Sequence, residues 1–149
     1  MKIKVKIILG IIIAIMMMGC SSDSSDNISV DKTLAGESEN WEATYIVKGV
    51  VEFNTNEKGT LDVNSDGKYE LVIKYKGALE ELEDMRTIKV DQSVSGTEKG
   101  FDNPPENVEF KYQGSPHTLT LIDINNEGSI QITVSWDGKN ESEEDIILK

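Results

Sequence analysis

Asp62, Asn64 and Asp66 alternate ahead of Gly67 in the stretch TLDVNSDGKYELVIKY. That is the opening of an EF-hand calcium loop, D-x-[DN]-x-[DN]-G-x5-E. Oxygen donors at alternate positions of a tight loop wrap a hard cation, and a Glu at the twelfth place completes the shell with two oxygens. Here the twelfth place holds Ile73, which offers no donor. A hairpin accounts for the same residues without a metal, with Asn64, Ser65 and Asp66 in a type I turn and Gly67 left-handed at the start of a bulge. The turn is the expectation. Its alternative is a calcium site of another kind, with Asp62, Asn64, Asp66 and Glu70 as ligands and Asp123, Asn125 and Glu127 as a poorer second set.

The remaining candidates propose less chemistry. His117, the only histidine, stands near Ser115 in QGSPHTL, but no nucleophile elbow or oxyanion motif accompanies the pair. It is expected in an exposed loop or at a strand edge. With 27 acidic residues in 149, some close carboxylate pair is inevitable and does not by itself point to hydrolysis. Phosphate loops, Cys/His metal spacings and basic patches are absent from the sequence. No residue set supplies both a nucleophile and its base, so a non-enzymatic protein is expected, with no catalytic residue and no metal. Trp41, Tyr75 and Trp136 could stack on a sugar. Each also falls in phase with the apolar face of its own strand, which makes Trp41 and Trp136 structural anchors.

The elements that must hold these residues alternate with the period of half-buried strands. WEATYIV aligns Trp41, Ala43, Tyr45 and Val47, and KYELVIKY aligns Tyr69, Leu71, Ile73 and Tyr75. Ile88, Val90 and Val94 share a face, as do Val108, Phe110 and Tyr112, then Leu119 and Leu121, then Ile130, Ile132, Val134 and Trp136. VVEF, TLDV and DIILK read as further short strands. Only ALEELEDM, with Leu79, Leu82 and Met85 three apart, suggests a helical turn. Ser95 to Asn107, with Pro104 and Pro105, reads as the longest loop. The expected fold is an all-β, antiparallel, immunoglobulin-like β-sandwich of about eight strands with at most one short helical turn. LDVNSDGKYELVIKYKG and IDINNEGSIQITVSWDG match at constant offset. Two hairpins under the same turn rules explain this more simply than a duplication.

The chain opens with MKIKVKIILGIIIAIMMMGC, three lysines ahead of an apolar run from Ile7 to Met18. This is the layout of a secretory signal peptide, residues 1–19. Twelve helical residues span about 18 Å, short of the roughly 30 Å hydrocarbon core. Cys20 is the only cysteine, so it has no partner for an internal disulfide. Residues 20–33, beginning CSSDSSDN, read as an anchor and flexible tether, and residues 34–149 as the domain. The whole chain carries a formal net charge of −12, and removal of Lys2, Lys4 and Lys6 makes the remainder more acidic. Such a surface repels phosphate backbones, so no nucleic-acid partner is expected.

MMGCSS resembles the lipobox of bacterial lipoproteins, with Met17 where Leu is usual. The likeness implies a covalent diacylglycerol on Cys20 as the only attached group and a location on the outer face of the cell membrane. GESENWEATY, IKYKGALEEL and ITVSWDGKNE resemble blocks found in a group of small lipoproteins of low-GC Gram-positive bacteria, to which no activity is assigned. That resemblance implies a lipid-anchored sandwich that serves as an interaction or structural module, its partner a protein or another component of the cell envelope. A calcium-dependent or carbohydrate-binding surface module is the alternative.

Overall fold

The computed structural model describes residues 27–92, 95–138 and 142–149. The signal segment, Cys20 and the first part of the expected tether lie outside these residues, as does Val94. Eight strands occur among the described residues: β1 (Ile28–Glu37), β2 (Trp41–Thr55), β3 (Leu61–Tyr75), β4 (Thr87–Gln92), β5 (Ser95–Gly100), β6 (Glu109–Gly114), β7 (Ile130–Trp136) and β8 (Ser142–Leu148). A 3-10 turn, Leu79–Leu82, follows β3, and a helix, α1 (Thr118–Glu127), precedes β7. The strands form two antiparallel sheets, ordered β1-β2-β3-β6 and β5-β4-β7-β8. The fold is an all-β antiparallel sandwich.

Alternation of side chains on the pleat puts one row of each strand into the core between the sheets. Along β2 the buried row is Trp41, Ala43, Tyr45, Val47, Gly49 and Val51. Leu71 and Ile73 of β3, Phe110 and Tyr112 of β6, and Ile88 and Val90 of β4 meet it, with Ile132 and Val134 of β7 and Ile146 of β8. The 3-10 turn adds Leu82 to this core and leaves Leu79 at the surface, and Met85, just after the turn, is buried with it.

The expected turn at Asn64–Gly67 does not form. β2 and β3 pair without interruption over fifteen residues each, from Trp41↔Tyr75 to Thr55↔Leu61, so VVEF and TLDV are the far ends of two long strands. The chain reverses one motif earlier. Asn56 Oδ1 accepts from the amides of Lys58 and Thr60, both at 3.0 Å, and Gly59 takes φ = 77°. The observed pairing gives β2 a partner along its whole length and sets Phe53 against Val63 and Tyr45 against Leu71. Apolar residues then share one face.

Gly67 serves another purpose. It lies opposite Gly49, and a Cβ on it would come within 2.6 Å of the Lys48 carbonyl oxygen and 3.2 Å of Pro116. A Cβ on Gly49 would lie 3.0 Å from Leu121. The glycine pair is the seat on which Pro116 and α1 rest.

That helix replaces the strand expected at HTLTLID. Thr120, Leu121 and Ile124 are buried while Leu119 faces out, a helical rather than an alternating set. His117 caps its start, with Nδ1 accepting from the Leu119 amide at 3.3 Å. Gly128 ends it at φ = 69°, its amide donating to the Ile124 carbonyl at 3.1 Å. Lys32 Nζ donates to that same carbonyl at 3.0 Å, a cation at the negative end of the helix. The two look-alike passages therefore fold differently, one as uninterrupted strand and the other as helix, C-cap and strand.

Two boundaries also move. β1 begins at Ile28 and buries Val30, so residues 28–33, expected in the tether, belong to the sandwich. The loop expected from Ser95 begins as β5, whose six residues pair with β4. Finally, the sheets join along one side, where Ala35 and Lys149 exchange two backbone hydrogen bonds of 3.1 and 3.0 Å.

Candidate functional site

Asp62, Asn64 and Asp66 lie on the outward row of β3, all exposed. Alternate residues of a strand stand about 6.8 Å apart, so the three form a ladder and not a cradle. Glu70, further along the same row, accepts from Gln113 Nε2 of β6 at 2.6 Å. Asp123, Asn125 and Glu127 lie on α1, where the middle residue faces away from the other two. Among the described residues, no three carboxylate, imidazole or thiol groups gather at one point. Ser115 is exposed, and His117 is engaged as the helix cap.

The aromatic residues do converge, at the end of the sandwich opposite the β2–β3 turn. Trp41 is fully buried and meets Tyr75 and Trp136 edge-on, with ring centroids at 5.2 and 5.4 Å, while Phe110 lies at 6.0 Å. Rings at steep angles to one another make a core and not a flat platform for a sugar. Trp41 is packed inside the core at this end. Trp136 is only partly buried, and its edge opens onto a groove of about 500 Å³ on the outer face of the second sheet, floored by Lys89, Glu98 and Ser135 and rimmed by Asp137 and Glu143. A smaller hollow of about 340 Å³ behind it is lined by Glu80, Glu81, Glu83 and Asp84. Carboxylates therefore ring this end of the molecule.

Two carboxylates at this end, Asp137 and Glu144, hold the frame. Asp137 accepts from the backbone amides of Arg86 and Thr87, each at 2.6 Å. Glu144 of β8 accepts from the Asn40 amide at 3.0 Å and from Asn40 Nδ2, tying the second sheet to the β1–β2 turn. Partial burial alone would raise both pKa values. For Asp137 the Arg86 and Thr87 hydrogen bonds outweigh it, and for Glu144 those from Ser38 and Asn40, aided by Lys76, so each carboxyl is held below its ordinary value.

The chain matches no protein-family model, no curated protein and no solved structure. Its own geometry is the guide to function.

Three features escaped the sequence reading. The hydroxyls of Tyr45 and Tyr112 and Trp41 Nε1 are buried without a hydrogen-bond partner among the described residues. Burial pushes the Tyr45 phenol far up, with Tyr69 nearby adding to the effect, and raises Tyr112 to about 12. The Gly49–Gly67 seat was masked by a turn-like motif. Lastly, the far end of the β2–β3 hairpin exposes apolar side chains, Leu61 at 57% and Val63 at 43%. An alternating pattern marks such residues as one face but not as an uncovered one.

Proposed function

We propose that the protein is a lipid-anchored lipoprotein of the outer membrane face, whose sandwich acts as a non-enzymatic interaction or structural module. The observation that carries the reading is Cys20 itself: a lone cysteine closing a lysine-led apolar run. Two acyl chains at about 0.8 kcal/mol per buried methylene hold a protein far more firmly than one. The domain supports the module role by the order of its parts. The chain enters at Ile28, opposite Val51 near the hairpin end, and the carboxylate-ringed end with Trp136 lies at the other. A tether at one end leaves the acidic end free, suited to cationic peptides or basic protein patches.

Replacing Cys20 with Ser should move the protein from the membrane fraction to the medium or the soluble fraction. A variant that sediments with membranes as firmly as the parent, and resists alkaline carbonate extraction equally, refutes the anchor.

A further inference from the structure

The β2–β3 hairpin outreaches its neighbours. β1 begins opposite Val51, and β6 covers β3 only from Tyr69, so Glu52–Thr55 and Leu61–Asn64 project as a two-stranded ribbon about 14 Å long. The ribbon is two-faced. Phe53 pairs with Val63 and Thr55 with Leu61 on the face that continues the core row, while Glu52 pairs with Asn64 and Asn54 with Asp62 on the other. The core row runs past the end of the core: Val51 is 0% exposed, Phe53 is partly buried against the core, and Val63 and Leu61 are 43% and 57% exposed. Beside it α1 begins, held by the 2.6 Å contact of Ser65 Oγ with Thr118 Oγ1, and its Leu119 is 49% exposed.

We propose that this apolar ribbon face rests in the interfacial layer of the membrane. The inference rests on the reading of Cys20 as the lipidated residue. Ile28 enters the sheet at the base of the ribbon, and Cys20 precedes it by eight residues, a reach of at most about 28 Å. An acyl anchor therefore keeps this end of the molecule, and not the acidic end, against the bilayer. Apolar side chains held there gain by leaving water for the headgroup and acyl boundary. The outward Asp62 and Glu52, which anionic lipid repels, stay in water only if the hairpin lies with its Leu61 and Val63 face down. The chemistry thus selects one face and a shallow depth, and it orients the whole domain.

The test uses the lipidated protein from Cys20 to Lys149 in vesicles of phosphatidylglycerol and phosphatidylethanolamine. Alkylation of Cys20 leaves a new cysteine as the only free thiol, so Val63→Cys and, separately, the acidic-end control Glu98→Cys each carry one polarity-sensitive fluorophore. Leu61→Cys, at the more exposed position, serves if Val63→Cys does not fold. The label on the ribbon should shift to shorter wavelength, resist aqueous iodide several-fold better than the Glu98 label, and be quenched by spin-labelled lipid. Equal iodide quenching at the two positions overturns the proposal. Protection from iodide without quenching by lipid also overturns it, and shows that protein, such as a second copy, covers the face. Failure of the anchor is separate: the chain is then missing from the membrane fraction before any label is added, and both readings fall.

Discussion

Tyr45 and Tyr112 each bury a hydroxyl that forfeits its water and finds no partner among the described residues, at a cost of about 1–3 kcal/mol per group. Tyr45→Phe and Tyr112→Phe keep the ring and delete the orphan. Each should leave stability unchanged or raise it by up to about 1 kcal/mol, read as the urea midpoint; a loss of more than that would reveal a partner. Glu144 predicts a dependence on pH. Its folded pKa is depressed, so its stabilisation is present above the ordinary glutamate value of 4.5 and is lost as pH falls toward the folded one. Glu144→Gln should unfold more readily than the parent at neutral pH, and the gap between them should narrow as pH falls below the ordinary glutamate value. Melting temperatures across that range check it, and a gap independent of pH would remove Glu144 from the acid response.

Two glycines separate the motif that reverses the chain from the motif that only looks as if it should. Gly59 has φ = 77° and open space where a Cβ would stand, whereas at Gly67 a Cβ would meet backbone atoms within 2.8 Å. Asn tolerates the left-handed conformation, so Gly59→Asn should cost less than about 1 kcal/mol. Gly67→Asn must displace the Lys48 carbonyl or Pro116 and should cost more than about 2 kcal/mol. Chemical denaturation of the pair decides it, and the reverse order would restore the turn at Asn64. The strands around these glycines were legible because their apolar rows, such as Trp41, Ala43, Tyr45 and Val47, keep period two. α1 was not, because Thr118, Thr120, Ile122 and Ile124 are β-branched and favour strands. The seat at Gly49 and the fit of Leu121 override that preference.

Across the whole molecule, 27 acidic side chains face 15 basic ones, and the ion pairs found are exposed or largely so, as for Lys48–Asp31 at 2.8 Å. Such pairs contribute little, so net repulsion should dominate the response to salt. Raising sodium chloride from low to roughly physiological ionic strength shortens the Debye length to about 8 Å and should raise the melting temperature. A fall would mean that the surface pairs outweigh the repulsion. The sequence by itself determined the strand rows, the all-β class and the acidic balance, together with the lysine-led segment ending at Cys20, because each is a local or summed property of residue types. Tertiary structure alone decided which of two turn motifs reverses the chain, that HTLTLID becomes a helix, and that one apolar row runs beyond its core to lie exposed at Leu61 and Val63. These depend on what stands opposite a residue in space, and neither spacing nor composition carries that.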